Sequence, residues 1–325
     1  MSSAFPLFDR EQLRILPLEQ RTSDLDLSII KPLVKTRAHV DEMRPIARGL
    51  VENRNQGAAN ILMMGAHVIR SGVQNYLLDL MARGLIDCIA VNGACVIHDY
   101  ELALMGETCE SVARYIRTGE FGFWEETGRL NDIIGEGDRM GLGLGEAVGR
   151  AIYRGDFPHK RISILAAAHE FKIPVTVHLG LGADIIHQHP NCDGASLGRA
   201  SYRDFLIFAR VVQDLEGGVV MNFGSAVTAP EVFLKALAMA RNLARQKGNH
   251  IRDFLTLVCD IVPLASGQQM ELEPSRDTPL YFFRPLKTML IRTVADGGKG
   301  FYVRGRHENT IVGLWSAVKE VMEDV

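Results

Sequence analysis

The sequence predicts an α/β fold in which a parallel sheet carries helices on both faces and leaves a crevice along the C-terminal ends of its strands. Two observations carry that expectation. Short apolar runs alternate with amphipathic segments through residues 58–325, as a chain of βαβ units requires. The first two runs, Ile61–Gly65 and Ile86–Asn92, are too short for helices and read as strands buried in a parallel sheet. The clearest unit comes first. Ile61–Gly65 and Ile86–Asn92 bracket a segment, Val68–Arg83, whose Val68, Ile69, Val73, Leu77, Leu80 and Met81 fall at helical spacing, with Gly84 placed to end it.

In chain order, residues 1–57 read as an N-terminal extension holding one helix, Val40–Glu52. Strands are expected at Ile61–Met64, Ile86–Val91, Pro174–His178, Gly218–Asn222, Leu255–Ile261 and Phe301–Val303. Helices are expected at Val68–Arg83, His98–Arg117, Ile162–Glu170, Tyr202–Leu215, Pro230–Arg245 and Asn309–Met322. Together they make residues 58–325 a single domain, interrupted at 118–149 by a Gly-rich, charged excursion carrying Phe121, Phe123 and Trp124. The glycines from Gly141 to Gly145 lie inside that excursion. No strand precedes them, so they lack the context of a phosphate loop.

Composition narrows the function. The chain has 325 residues and is 47% hydrophobic, which suits a well-filled globule. A net charge of −3 gives no electrostatic case for nucleic acid or an anionic membrane. No apolar run approaches the roughly 18 residues that span a bilayer, and the N-terminal residues lack a signal peptide's basic leader and apolar core. The five cysteines have no CxxC spacing, and Cys88 and Cys259 sit in strand-like runs. Reduced thiols in a cytoplasmic protein are the expectation.

Candidate chemistry gathers at the strand ends, where α/β proteins place it. His67 follows the first strand; Asn92, Gly93, His98 and Asp99 follow the second. After the fourth strand, Gly224 and Ser225 lead to Thr228, Pro230 and Glu231, a capping-box spacing that opens a helix. That turn is either a phosphate cradle or an ordinary helix cap. The loop Asp184–Asp193 holds His187 and His189, and by content it is a metal-ligand list. Its members equally serve as hydrogen-bonding groups, and Asp184 pairs on charge grounds with an amine or caps a helix. Lys287, three residues after the Arg284 cation, is either a nucleophile activated by its neighbour or a solvated side chain. Lys299 competes for the same role.

The ordered set RSG, GLIDCIAVNGA, VIHDYELAL, IPVTVHLGLGAD and GGVVMNFGSAVTAPEVFL resembles the deoxyhypusine synthase family, across residues 58 to 320. The resemblance implies a Rossmann-like NAD-binding sheet, with His67, Asn92, Gly93, Asp99, Gly224, Ser225 and Asp260 on the cofactor side. It places His98, Asp184, His187 and Glu231 at the substrate. It makes Lys287 the residue that forms an imine with the aminobutyl fragment once NAD has oxidised spermidine. It also implies a homotetramer with active sites between paired subunits. Ser225 replaces a glycine of the family, and its Trp-Gly before the lysine is missing here. The expected activity is therefore a polyamine-directed NAD-dependent aminoalkyl transfer rather than modification of a protein. The residues leave two rivals open: a metal-dependent hydrolase centred on Asp184, His187 and His189, and a nucleotide-binding protein without catalysis.

Overall fold

The computed structural model describes residues 4–54, 56–264 and 273–324. Eight strands run β1 Ser23–Asp26, β2 Asn60–Met64, β3 Cys88–Val91, β4 Glu107–Glu110, β5 Val175–Val177, β6 Val219–Phe223, β7 Leu255–Asp260 and β8 Lys299–Arg304. Six of them form one parallel sheet in the order β5-β3-β2-β6-β7-β8. Numbering those six in chain order gives 3-2-1-4-5-6, the doubly wound order whose direction reverses between β2 and β6. The fold is thus the expected Rossmann-like α/β architecture.

Strand periodicity explains why apolar residues stand next to each other in these runs. Leu62, Met64, Ile89, Val91, Met221 and Phe223 face one core, while Ile61, Met63, Cys88, Ala90 and Val220 face a second. Helices Val40–Asn53, Gln74–Ala82, Gly93–Met105, Ile164–Phe171 and His307–Glu323 cover the first face. Gly194–Val212, Thr228–Gln246 and the π-helix Leu286–Arg292 cover the second. All five cysteines are buried and unpaired. No helix among the described residues is long and apolar enough to cross a membrane.

Several elements differ from expectation for local reasons. The segment Val68–Arg83 is two helices, His67–Arg70 and Gln74–Ala82, broken at Gly72. Gly72 has a φ of 70° and lies so close to Ile29 that a Cβ would meet its carbonyl oxygen at 1.9 Å. The helix expected to reach Arg117 stops at Met105, capped by left-handed Gly106. The chain then forms β4, which pairs antiparallel with β1 (Leu25 opposite Thr108). Residues 118–149 contain the helix Glu125–Arg139 and the start of Leu144–Arg154. Within the glycine run there, Gly145 lies against the Val175 carbonyl and Gly143 against Asp204.

Candidate functional site

Two cavities open at the C-terminal edge of the sheet, on either side of the four-residue helix His67–Arg70. The first, of about 320 Å³, lies at the strand-order reversal and is lined by His67, Ser71, Gly224, Asp260, Ile261, Arg306, His307 and Glu308. Two glycines let its walls pack closely. The N–H of Gly65 donates to the Phe223 carbonyl at 2.9 Å. A Cβ on Gly65 would sit 2.6 Å from the Gly224 carbonyl oxygen. Gly224 has a φ of 69°, and a Cβ there would strike His307 Nε2 at 2.3 Å. His307 is held neutral by burial, and its Nδ1 is a buried nitrogen without a partner. Asp260 Oδ1 accepts the backbone N–H of Ile261 at 2.7 Å and of Val262 at 3.2 Å, which fixes the carboxyl group where Asp260 lines the cavity.

The second cavity, of about 270 Å³, is lined by Arg21, Arg70, Ala94, Ile97, His98, Glu101, Cys109, Glu110, Val112, Phe121, Ala183, Asp184 and Ile185. Its floor is a buried ion pair. Arg21 donates to both oxygens of Glu101, at 2.7 and 3.1 Å, and each partner's side chain is 1% exposed. Thr127 Oγ1 and Thr108 Oγ1 each donate to Glu101 at 2.7 Å. His98 Nδ1 lies 2.8 Å from Thr108 Oγ1. Burial holds the imidazole down to about 4, against the opposing pull of Glu101. Glu110 is pushed up to about 6 by burial, although it accepts from Trp124 Nε1 and the Gly122 N–H.

Asp184 stands on the opposite wall, pushed up to about 6 by burial. It comes so near the start of helix Gly93–Met105 that a Cβ on Gly93 would lie 2.1 Å from Asp184 Oδ2 and would displace the carboxyl group. His187 turns back onto the same loop. Its Nδ1 accepts the N–H groups of Gly182 and Asp184 at 3.1 and 3.2 Å. Nε2 therefore carries the proton; it lies 4.0 Å from Asp184 Oδ2, beyond hydrogen-bonding distance. One capping contact leaves a carboxylate most of its acceptor capacity, and that capacity opens on the cavity.

Other expected site residues have different work. Asp99 is a correction: it is 1% exposed and accepts from Ser163 Oγ and the N–H groups of Ile164 and Leu165, so it caps a helix instead of facing a cofactor. Ser225 is another, since its Oγ accepts the Ala229 N–H and its backbone is tied to Asn222. Helix Thr228–Gln246 starts without the expected capping box, and Glu231 pairs instead with Lys235 and Arg284. Arg284 is consequently not the bare cation expected beside Lys287. The Lys287 ammonium lies 3.8 Å over the Tyr281 ring, on a helix of the second face, and lines neither cavity. Lys299 begins β8, at the sheet edge opposite both cavities. Asn92 caps its helix through the Cys95 N–H at 3.2 Å. The two imidazoles of the metal reading diverge: His189 Nε2 bonds the Gly122 carbonyl at 2.7 Å, while His187 turns to its own loop. Among the described residues no group of three or more His, Cys, Asp or Glu side chains could hold a metal ion.

Sequence reasoning missed Arg21, Arg70, Glu101, Cys109 and His307. Arg21 lay in a segment with no visible motif. Glu101 and His307 did carry a signal, since each lies in a helix directly following a strand end.

No family model matches the sequence, and no curated protein matches it by sequence. Solved structures match in fold. ArgZ, an arginine dihydrolase from the ornithine-ammonia cycle in cyanobacteria, superposes with a TM-score of 0.53 at 14% identity, over 90% of this chain and 33% of its own. A conserved protein from Methanococcus maripaludis S2 assigned to LOR/SDH gives 0.51 at 15%, over 95% and 75%. AgrE, solved with ornithine and NAD+, gives 0.51 at 13%, over 91% and 35%. The chain thus spans about a third of the length of ArgZ and AgrE. A protein from Entamoeba histolytica assigned as a deoxyhypusine synthase also matches, at 0.43 and 10% identity over 81% and 76%, too distantly to carry an argument. The fold is shared; the sequence is not.

Proposed function

We propose that this chain is an NAD-dependent enzyme acting on a small amine, with the dinucleotide at the β2–β6 reversal and the amine in the cavity of His98 and Asp184. The observation that carries the reading is Asp184, a carboxylate with open acceptor capacity, sharing a cavity with the neutral imidazole of His98.

The residues of the first cavity fit a dinucleotide. Gly65 and Gly224 let the β2 and β6 ends pack against each other and against His307, the buried His307 Nδ1 lacks a partner, and Asp260 offers an acceptor for ribose hydroxyls. NAD bound there would supply a two-electron hydride acceptor. The rest is the work of this chain. Asp184 binds the ammonium, His98 accepts one of its N–H groups, and the buried Arg21–Glu101 pair keeps the floor in place. A second carboxyl group, Glu110, suits the far amine of a diamine or polyamine such as spermidine. Aminoalkyl transfer through Lys287, the finer reading implied by the family resemblance, would need that side chain to reach the cavity. A homotetramer belongs to the same resemblance, and light scattering tests the assembly.

One observation favours a second substrate class. The guanidinium of Arg70 lines the cavity and makes no ion pair among the described residues, so it would receive a carboxylate. An amino acid would then span Arg70 and Asp184, and AgrE was solved with ornithine and NAD+. Calorimetry with NAD, followed by NADH fluorescence with putrescine, spermidine or ornithine, tests the reading. No binding of NAD would sink it. Loss of activity in Glu110→Gln favours the polyamine, and loss in Arg70→Ala the amino acid.

A further inference from the structure

The neutral imidazole of His98 has two nitrogens, and the hydrogen bonds beneath it leave only one arrangement of its proton. Glu101 is held by both arms of the Arg21 guanidinium, so its carboxylate oxygens only accept. Thr108 has a single hydroxyl proton and stands 2.7 Å from Glu101 Oε2, a contact that would be repulsive unless that proton lay between the oxygens. The proton being spent, Thr108 Oγ1 can only accept along its 2.8 Å contact with His98 Nδ1. Nδ1 must therefore carry the imidazole hydrogen. Cys109 Sγ also approaches Nδ1, but at 3.8 Å and as a weak donor it does not compete. All four supporting groups are buried: Arg21 is 6% exposed, Glu101 1%, Thr108 and Thr127 0%. Nε2 has no protein partner among the described residues and is not one of the buried orphan atoms, so its lone pair opens on the cavity.

We propose that Thr108, backed by the Glu101–Arg21 pair, is a positioning residue that locks His98 in its Nδ1–H tautomer and so makes Nε2 an acceptor for an N–H group of the ligand. The lock selects for donors. A ligand presenting an N–H meets a lone pair, while one presenting a carbonyl or hydroxylate oxygen meets another acceptor and is repelled. A neutral ring also adds no positive charge opposite an ammonium. Arg21 reaches this point from the N-terminal segment, through the β1–β4 pairing that brings Ser23 opposite Glu110.

The proposal rests on the amine reading for what Nε2 binds, but the tautomer itself is readable without ligand. Long-range ¹⁵N–¹H correlation spectra of the whole chain, with His98→Gln to assign the ring, should show Nδ1 protonated and Nε2 bare at neutral pH. Thr108→Val should shift the ring toward the Nε2–H form that a free histidine side chain prefers, and Thr108→Ser should restore the wild-type pattern. With putrescine as the probe, Thr108→Val should weaken binding by about tenfold, the value of one charge-assisted hydrogen bond, and Thr108→Ser should bind as wild type does. An Nε2–H ring in the wild type would overturn the proposal, as would an Nδ1–H ring that survives Thr108→Val. A correct tautomer with no putrescine binding would instead count against the amine reading.

Discussion

Removing Arg21 is the sharpest test of how the N-terminal segment supports the site. In Arg21→Met the apolar stem is kept and the guanidinium is lost, leaving Glu101 buried with only Thr108 and Thr127 as donors. Breaking a buried ion pair on one side costs roughly 3–5 kcal/mol, and the surviving hydroxyls place this case near the lower end, about 3 kcal/mol. Unfolding entropy of roughly 2.1 cal/mol/K per residue makes that a fall in Tm of about 4 °C for a chain of this length. Differential scanning calorimetry at neutral pH measures it. The double variant Arg21→Met/Glu101→Gln should recover part of the loss, since no buried charge is then left unpaired. A fall of less than about 1 °C in Arg21→Met, or a double variant no better than the single one, would show that the pair does not hold the cavity floor as described.

Three further outcomes follow from the same geometry. Burial raises Asp184 to about 6, so its folded-state contribution is complete below the ordinary carboxylate range and is lost as pH rises through about 6. Stability should drop over that interval while affinity for an amine climbs, and Asp184→Asn should flatten both when followed by thermal melts and calorimetry. Gly224→Ala should weaken NAD by at least about tenfold, because a Cβ there collides with His307 Nε2 in a backbone conformation that costs roughly 1–2 kcal/mol for any other residue; equal dissociation constants would remove Gly224 from the site. Borohydride added with NAD and spermidine should leave Lys287 unlabelled by peptide mass, and Lys287→Ala should keep wild-type NADH formation; an aminobutyl adduct on Lys287 would show that it reaches the amine.

The sheet was legible because its strands are buried on both faces, which writes Ile61–Met64 as an unbroken apolar run and leaves Val219–Phe223 interrupted only at Asn222. The smaller ribbon was not. β1 reads Ser-Asp-Leu-Asp and β4 Glu-Thr-Cys-Glu, four residues each with only partial burial, and nothing in either run distinguishes it from a loop. Arg21 stayed hidden for that reason, since its partner lies 80 residues away and an ion pair of that range leaves no local pattern. The strand-end acids were legible as a group but not individually. Asp99 and Asp184 occupy the same kind of place and differ only in what consumes their oxygens. Asp99 meets the start of a helix 64 residues further on and saturates there. Asp184 caps its own short turn and still opens on a cavity. What separates a ligand-binding carboxylate from a structural one is therefore acceptor capacity left unspent where a ligand can reach it. That quantity depends on the whole packed chain, so residue type and position along a strand end could nominate Asp184 and His98 but could not choose between them and Asp99.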